Sequence, residues 1–234
     1  MDNNQFINGF KKSMPITLGY FPVSFTFGIF ATSLGLTPLL SVFVSLTNFT
    51  SAGQFAGTSL IFTSASLIEI AVTVFVINIR YMLMSFSLSQ RIEKMSTIKK
   101  MALAFGITDE TYALMATEKE KIGFTYGLGM TFGPFLGWIM GTLCGAISSN
   151  FLSDSMQNAM GIALYAMFLA IIIPPSRKFK AILIVVLIAA LISSLFFYIP
   201  ALKNVSGGFV IIISTIIACT IGAKFLPMEE YING

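Results

Sequence analysis

Charged residues are scarce in this 234-residue sequence, since only 10% of its residues are Asp, Glu, Lys or Arg. A soluble globular protein carries about 25%, because its surface must stay hydrated. Five stretches contain no charged residue, and each matches or exceeds the roughly 20 residues that a membrane-spanning helix needs. They are Ser13–Ile68, Ile122–Ser153, Ser155–Ser176, Ala181–Leu202 and Asn204–Ala223. The sequence therefore predicts an all-α, polytopic helical bundle in a bacterial-type cytoplasmic membrane.

Histidine is absent, and the only two cysteines, Cys144 and Cys219, lie within uncharged stretches. The commonest transition-metal ligand and general base is therefore missing, and the cysteines indicate neither a disulfide nor a metal site. The sequence also lacks the His-Glu-x-x-His, Gly-x-Ser-x-Gly and P-loop motifs. We predict no metal, no cofactor and no enzymatic activity. The net charge of +4 lies at the membrane edges, where it indicates orientation rather than nucleic-acid binding.

Apolar segments and one charged segment divide the chain, which we interpret as a single membrane permease domain over residues 1–234. Between the third and fourth apolar segments lies Ser89–Lys121, with six basic and five acidic residues. Short loops rich in basic residues stay cytoplasmic, so we predict that Ser89–Lys121 is cytoplasmic. About six or seven spans are expected, near Pro15–Leu36, Pro38–Thr63, Ala65–Leu88, Ile122–Ile147, Met156–Ile173, Ala181–Ile199 and Gly207–Leu226.

The first half of the chain poses a parity problem. Lys11 and Lys12 indicate a cytoplasmic N-terminus, yet three apolar segments precede Ser89, and an odd number of crossings cannot begin and end on one side. Either the N-terminus is outside, or the second segment enters and leaves through one face. The second alternative is favoured because Thr47–Gln54 is polar and a poor helix former. Non-helical backbone at membrane depth is tolerated where it lines a protein cavity.

Two interruptions of the apolar segments, Gly19–Pro22 and Ser51–Gln54, are candidates for a substrate site. Pro22 removes a backbone donor and crowds the preceding turn, and a broken helix offers free N–H and carbonyl groups to a polar ligand. We predict that the two interruptions meet near the bilayer midplane beside Asn78; kinking and close packing of glycines is the alternative. The candidate substrate-binding residues are Tyr20, Pro22, Gly53, Gln54, Asn78 and Arg80.

Charged residues near or within the third segment are further candidates. Glu69 and Arg80 lie about 16 Å apart along a helix, so they do not form an ion pair with each other. Arg80 either snorkels to the cytoplasmic interface, or serves as a counter-charge to a substrate carboxylate or as a lock between helices. Glu69 is expected to be hydrated at the outer end. Asp109 and Glu110 are candidates for coupling or gating, although they also fit the first turn of a helix capped by Thr108.

Glycine recurs at every fourth residue along the fourth span. Such a spacing makes a ridge without side chains, which lets another helix approach to backbone contact. We predict a tight helix contact there, with a partner helix from this chain or from another protein. The ridge consists of Gly129, Gly133, Gly137, Gly141 and Gly145.

Four motifs follow one another along the chain: Leu18–Gly28, Phe49–Phe55, Asn78–Ser85 and Thr108–Glu110. In their order and spacing they together resemble the AzlC family, the large subunits of branched-chain amino acid exporters. The sequence departs from the family pattern at Thr50 and Ser51, where Ala-Gly is frequent, and at Tyr81, where a histidine commonly follows the arginine. The resemblance implies a two-component permease whose small AzlD-type partner is a separate membrane protein.

The expected function is secondary transport that exports branched-chain or similar apolar amino acids across the cytoplasmic membrane. Such a substrate is a zwitterion with an apolar tail, so its site needs groups that bind an anion, groups that bind a cation and an apolar pocket. The alternative is a non-transporting scaffold or sensor that assembles partners through the glycine ridge. Arg80 favours transport, because a scaffold has no need of a costly charge at membrane depth.

Overall fold

The computed structural model describes residues 3–149, 151, 155, 169, 172–173, 176–177 and 179–226. Five helices of this part are long and apolar enough to span a membrane, which confirms the predicted all-α membrane fold. The predicted span Met156–Ile173 falls almost wholly outside the described residues. The helices are α1 Asn3–Ser33, α2 Pro38–Thr47, α3 Ala52–Phe62, α4 Leu67–Ser89, α5 Thr97–Phe105, α6 Asp109–Ala116, α7 Phe124–Ser148, α8 Lys180–Tyr198 and α9 Gly207–Phe225.

Contacts divide the chain into two compact units. The first unit comprises Met1–Phe55 and Ile77–Leu164, and the second comprises Ala56–Val76 and Tyr165–Gly234. Helices α3 and α4 each contribute residues to both. All the candidate residues named above lie in the first unit except Glu69, which lies in the second.

Helices α1 and α7 run parallel and in backbone contact. Gly129 meets the backbone of Phe6, and Gly145, four turns later, meets the backbone of Phe25. Because residue numbers rise together in the two helices, both begin at the same end of the first unit. Lys12 also forms a 2.6 Å ion pair with Glu118, just before α7. We call this the charged end, and the opposite one the far end.

The glycine ridge of α7 is the surface that α1 covers. A Cβ atom added at Gly137 would lie 2.5 Å from the carbonyl oxygen of Thr17, and one added at Gly133 would lie 2.7 Å from Thr17 Oγ1. Such spacing brings glycine Cα–H groups against carbonyl oxygens, a weak but repeated attraction that adds to close van der Waals packing. The helix along the ridge thus belongs to this chain.

The expected break at Gly19–Pro22 is wrong, because α1 continues through Pro15 and Pro22 without interruption. Pro22 cannot donate a hydrogen bond to the preceding turn. Side chains nevertheless bond to carbonyls around it: Thr26 Oγ1 donates to the Pro22 carbonyl at 3.1 Å, and Ser24 Oγ donates to the Tyr20 carbonyl at 2.9 Å. Helix α1 also contacts α7 on both sides of the proline, through Thr17 and Phe25.

Helices α2 and α3 form a re-entrant hairpin, the alternative that the sequence favours. Ser45 of α2 bonds to Thr142 near the end of α7, whereas Phe49, further along the chain, contacts Trp138 one turn deeper. Helix α3 then returns along α4, since Gly53 faces Asn78 and Gly57 faces Val74. The hairpin therefore enters and leaves through the far end, and its two helices of about 15 Å are each too short to span the membrane.

Helices α5 and α6 form a second hairpin, which the sequence did not indicate. Leu103 of α5 faces Gly127, and Phe105 reaches Phe135 two turns further along α7. Helix α6 returns to the charged end, where Met115 packs with Leu88 and Ile122. Residues 97–116 therefore enter the bundle from the charged end, opposite to the α2–α3 hairpin.

In the second unit, Glu69 is buried rather than hydrated, so that expectation is wrong. Its carboxylate accepts hydrogen bonds from the Ser206 hydroxyl and, at 3.2 Å, from the Gly208 backbone N–H. Glu69 thus caps the start of α9, where Ser206 itself makes no side-chain cap bond and a negative charge is favoured by the helix dipole. Helices α8 and α9 pack antiparallel, with Gly222 against Val185.

The orientation predicted from the basic residues is tested by cysteine labelling at the two ends of the first unit. In intact cells, an impermeant thiol reagent is expected to leave Ser96→Cys unmodified, because Ser96 precedes α5 at the charged end, predicted to be cytoplasmic. Ser33→Cys, exposed at the end of α1, is expected to react. The wild-type chain gives the background from Cys144 and Cys219. Labelling of Ser96→Cys without labelling of Ser33→Cys would reverse the predicted orientation.

Candidate functional site

The tip of the α2–α3 hairpin is a short irregular segment at residues 48–51. Thr50 Oγ1 donates to Asn48 Oδ1 at 2.6 Å, and Ser51 adopts a left-handed conformation with φ 48°. Short polar side chains of this kind compete with helical hydrogen bonds through local contacts, which explains the interruption here. The Thr50 carbonyl accepts a hydrogen bond from Tyr81 Oη at 3.3 Å, and a second one from the Gly53 backbone N–H at 3.4 Å.

Gln54 clamps this tip to α2 and α7. Its Nε2 atom donates to Ser45 Oγ at 2.6 Å, and its Oε1 atom accepts from Trp138 Nε1 at 2.9 Å. The side chain is fully buried, so unpaired amide atoms there would cost several kcal/mol. Protein groups occupy both ends of the amide, and a substrate contact with Gln54 therefore requires exchange of one of these partners.

Asn78, the central residue of α4, lies against Gly53. A Cβ atom added at Gly53 would lie 2.7 Å from Asn78 Oδ1 and 2.8 Å from Asn78 Nδ2, so only glycine admits the amide at this distance. The Oδ1 atom is buried and has no hydrogen-bond partner. An unpaired acceptor at mid-helix is unusual in native proteins and calls for an explanation.

Arg80 directly precedes Tyr81, which bonds to the hairpin tip, and forms an ion pair with Asp109 at 3.0 Å. Its Nη2 atom also approaches Tyr81 Oη at 3.3 Å, while its Nε atom is buried without a partner. The guanidinium group therefore connects α4 to the start of α6 and does not extend along the helix to the charged end. One of its donors remains uncommitted.

The start of α6 carries both acidic candidates. Thr108 caps the helix through a reciprocal pair of bonds with Thr111, at 3.3 and 2.7 Å. Asp109 forms its ion pair with Arg80 of α4, and Glu110 accepts a hydrogen bond from Tyr20 of α1. The first turn of α6 is therefore connected to two long helices.

Tyr20 joins α1 to the same turn of α6. Its hydroxyl donates to Thr108 Oγ1 at 2.7 Å and to a carboxylate oxygen of Glu110. The ring packs edge-on against Phe49 and Trp138, with centroids 5.8 and 5.4 Å away. Tyr20 thus contacts both hairpin tips, the first through its ring at Phe49 and the second through its hydroxyl at Thr108.

The structure brings together five of the six predicted substrate-binding residues, and both acidic candidates, around the hairpin tips. Pro22 is the exception: it lies in α1 like Tyr20, but its carbonyl accepts a hydrogen bond from Thr26 of the same helix rather than from a group at the tips. Sequence reasoning missed the roles of Ser45 and Trp138. Trp138, the single tryptophan, sits in an apolar stretch where a tryptophan is typical of a core.

Gly53→Ala is expected to lower transport about tenfold or more while the protein remains folded in the membrane. The added methyl group would displace Asn78 and the Thr50 hydroxyl, 2.7 Å away, at an overpacking cost of about 1–3 kcal/mol. The measurement is substrate export by cells with equal amounts of membrane-inserted protein. Gly57→Ala on the same helix is the control, since its methyl would meet only a Val74 methyl at 3.3 Å. Full export by Gly53→Ala would separate Asn78 from the substrate site.

Comparison with known proteins identifies the family of the chain. The AzlC protein family matches residues 15–152, a range that contains every candidate residue of the first unit. The inner membrane protein YgaZ of Escherichia coli is 34% identical over 83% of each chain. The branched-chain amino acid transport protein AzlC of Bacillus subtilis is 22% identical over 75% of this chain and 69% of its own. No solved structure matches significantly. On this match, covering more than half of its length, the chain belongs to the AzlC family, a family of membrane proteins associated with transport.

Proposed function

We propose that the chain is the translocating subunit of a secondary transporter that exports branched-chain or similar apolar amino acids from the cytoplasm. The observation that carries the proposal is the pair of buried, uncommitted polar atoms beside the hairpin tip, Asn78 Oδ1 and Arg80 Nε. The first is an acceptor and the second a donor. They suit the ammonium and carboxylate groups that every amino acid carries.

The surroundings of these atoms support an apolar amino acid as the substrate. The Tyr20, Phe49 and Trp138 rings that lie between the hairpin tips are buried, and an apolar side chain that displaced them would meet similar surfaces. No metal or cofactor is required by these groups, and we propose no enzymatic activity. The chain would then work as one permease domain, with a small AzlD-type membrane protein as its partner.

The acidic pair at the start of α6 fits a gate on the cytoplasmic side. Asp109 holds Arg80 of α4, and Glu110 holds Tyr20 of α1, so α6 is fastened to two helices at the level of the site. A substrate carboxylate that bound Arg80 would compete with Asp109 for the same guanidinium group. Binding and opening are coupled in this way, because each makes the other less costly.

The alternative function, a non-transporting scaffold, has less support. Its proposed surface, the glycine ridge of α7, is covered by α1 and presents no open face to a partner. A scaffold also gives no reason for an uncommitted arginine donor at membrane depth.

Export assays in cells that lack the gene test the proposal. The cells are loaded with leucine, isoleucine and valine from dipeptides, with lysine and glutamate as unrelated substrates. Expression of this chain together with a small AzlD-type membrane protein is expected to lower the internal concentration of the three apolar amino acids only. Asn78→Leu, which removes the acceptor, is expected to abolish that effect. Unchanged internal concentrations, with both proteins inserted in the membrane, would favour the scaffold.

A further inference from the structure

Two parts of the sequence share a pattern that the proposed function does not explain. Tyr20–Phe25 of α1 and Tyr81–Phe86 of α4 both have tyrosine first, serine fifth and phenylalanine sixth. Each helix is followed by two short helices. The loop between those short helices contains an apolar residue and then a threonine: Phe49 and Thr50 in the first case, Ile107 and Thr108 in the second.

The two parts have opposite directions in the membrane. Helix α1 runs from the charged end to the far end, and the α2–α3 hairpin enters from the far end. Helix α4 runs back to the charged end, where Ile92 pairs with Ile122 just before α7, and the α5–α6 hairpin enters from there. A long helix and a re-entrant hairpin are thus repeated in inverted topology, as in many secondary transporters.

The hairpin tips meet on the same residue of α7. Phe49 of the first tip and Phe105 of the second lie edge-on to Phe135, with ring centroids 5.5 and 5.6 Å away. Phe135 is near the middle of α7, so the tips meet at about half the depth of the bundle.

The equivalent tyrosines hold the tips in a reciprocal way. Tyr81 of the second repeat donates its hydroxyl to the Thr50 carbonyl in the tip of the first, at 3.3 Å. Tyr20 of the first repeat donates its hydroxyl to Thr108 Oγ1 in the tip of the second, at 2.7 Å. Each hairpin is thus fastened by the long helix of the other repeat.

From these reciprocal hydrogen bonds we infer that residues 15–62 and 76–116 are inverted repeats. Their two hairpins enclose the amino-acid site from opposite sides of the membrane. Tyr81–Thr50 is the latch of the far gate, and Tyr20–Thr108 is the latch of the charged-end gate. The inference rests on the proposed function for the identity of the substrate. The repeat and the latches are argued only from the contacts of the two hairpin tips and do not depend on that function. Each latch is one hydrogen bond, and each Tyr→Phe change also removes the second bond of that hydroxyl, to Glu110 in the case of Tyr20 and from Arg80 in the case of Tyr81. The population of the open gate is therefore expected to rise by at least roughly 2- to 10-fold.

Cysteine accessibility at the first tip tests the two latches without any transport. Ala52→Cys, a half-buried position next to the tip, reports on water that reaches the site. In right-side-out and inside-out vesicles, the rate of modification by an impermeant thiol reagent is measured. Tyr81→Phe is expected to raise the rate from the far side alone, and Tyr20→Phe from the charged side alone, each by at least roughly 2- to 10-fold.

Tyr112→Phe is the matched control, because the Tyr112 hydroxyl bonds to Ser87 at 3.0 Å, away from both tips. It is expected to leave both rates unchanged, and the wild-type chain measures the background from its two cysteines. Opposite responses to the two latch variants support the inference even if the cells export none of the tested amino acids. Responses from the same side, or no response in a protein that still exports leucine, would overturn the inference and leave the proposed function intact.

Discussion

Gly137→Leu is expected to lower the yield of folded, membrane-inserted protein at least tenfold. A leucine side chain cannot fit where even a Cβ atom would lie 2.5 Å from the Thr17 carbonyl oxygen, so α1 and α7 must separate. Overpacking of a core costs about 1–3 kcal/mol, and here the obstacle is backbone that cannot rotate away. Detergent-solubilised protein analysed by size-exclusion chromatography, with its thermal unfolding midpoint, measures the effect.

Gly19→Leu is the matched control, since a Cβ atom at Gly19 would meet nothing within 4 Å. It makes the same chemical change on the partner helix but on another face, and its yield is expected to equal that of the wild type. A monodisperse Gly137→Leu protein with an unchanged unfolding midpoint would contradict the tight contact.

Arg80→Ala is expected to lower export about 10- to 100-fold while insertion and folding persist. The variant removes both the partner of Asp109 and the donor proposed for the substrate carboxylate, and hydrogen bonds to charged groups contribute about 1.5–3 kcal/mol each. Export is measured alongside the chromatographic profile of the purified protein. Arg80→Lys keeps the charge but loses the planar fork of donors, and an intermediate rate is expected.

Arg91→Ala is the control for the loss of an arginine from the end of α4. Arg91 is exposed and donates to the Glu118 carbonyl at 3.1 Å, outside the site, so export close to the wild-type rate is expected. Wild-type export by Arg80→Ala would leave Arg80 with an anchoring or locking role only. A double variant, Arg80→Asp with Asp109→Arg, separates these: recovered export would mean that the ion pair alone is required.

The re-entrant α2–α3 hairpin could be predicted from sequence because its signal is local. Polar residues between Thr47 and Gln54 interrupt an apolar run, and two lysines disagree with the number of crossings. The α5–α6 hairpin gave no such signal, since Lys99 and Lys100 at its base make the segment resemble an ordinary cytoplasmic loop.

The break at Pro22 was predicted wrongly for a related reason. The proline effect is local, but α1 packs along its length against α7, whose residues lie more than a hundred positions away. The pairing of Arg80 with Asp109 is likewise tertiary. Both residues could be predicted as candidates from the sequence, but their ion pair could not, because neither helical spacing nor a motif connects α4 to α6.

The α1–α7 contact also has a consequence for biosynthesis. Gly28 lies against the backbone of Thr142 and Ala146, which are synthesised much later. At about 5–20 residues per second, the ribosome needs roughly 6 to 24 s to make the intervening chain. Throughout that time α1 lies in the membrane without its partner. Its hydroxyls along the future contact are already satisfied, because Ser13, Thr17 and Ser24 donate to carbonyls of α1 itself at 3.0, 3.1 and 2.9 Å. The newly made helix therefore exposes little unpaired polarity to lipid before α7 arrives.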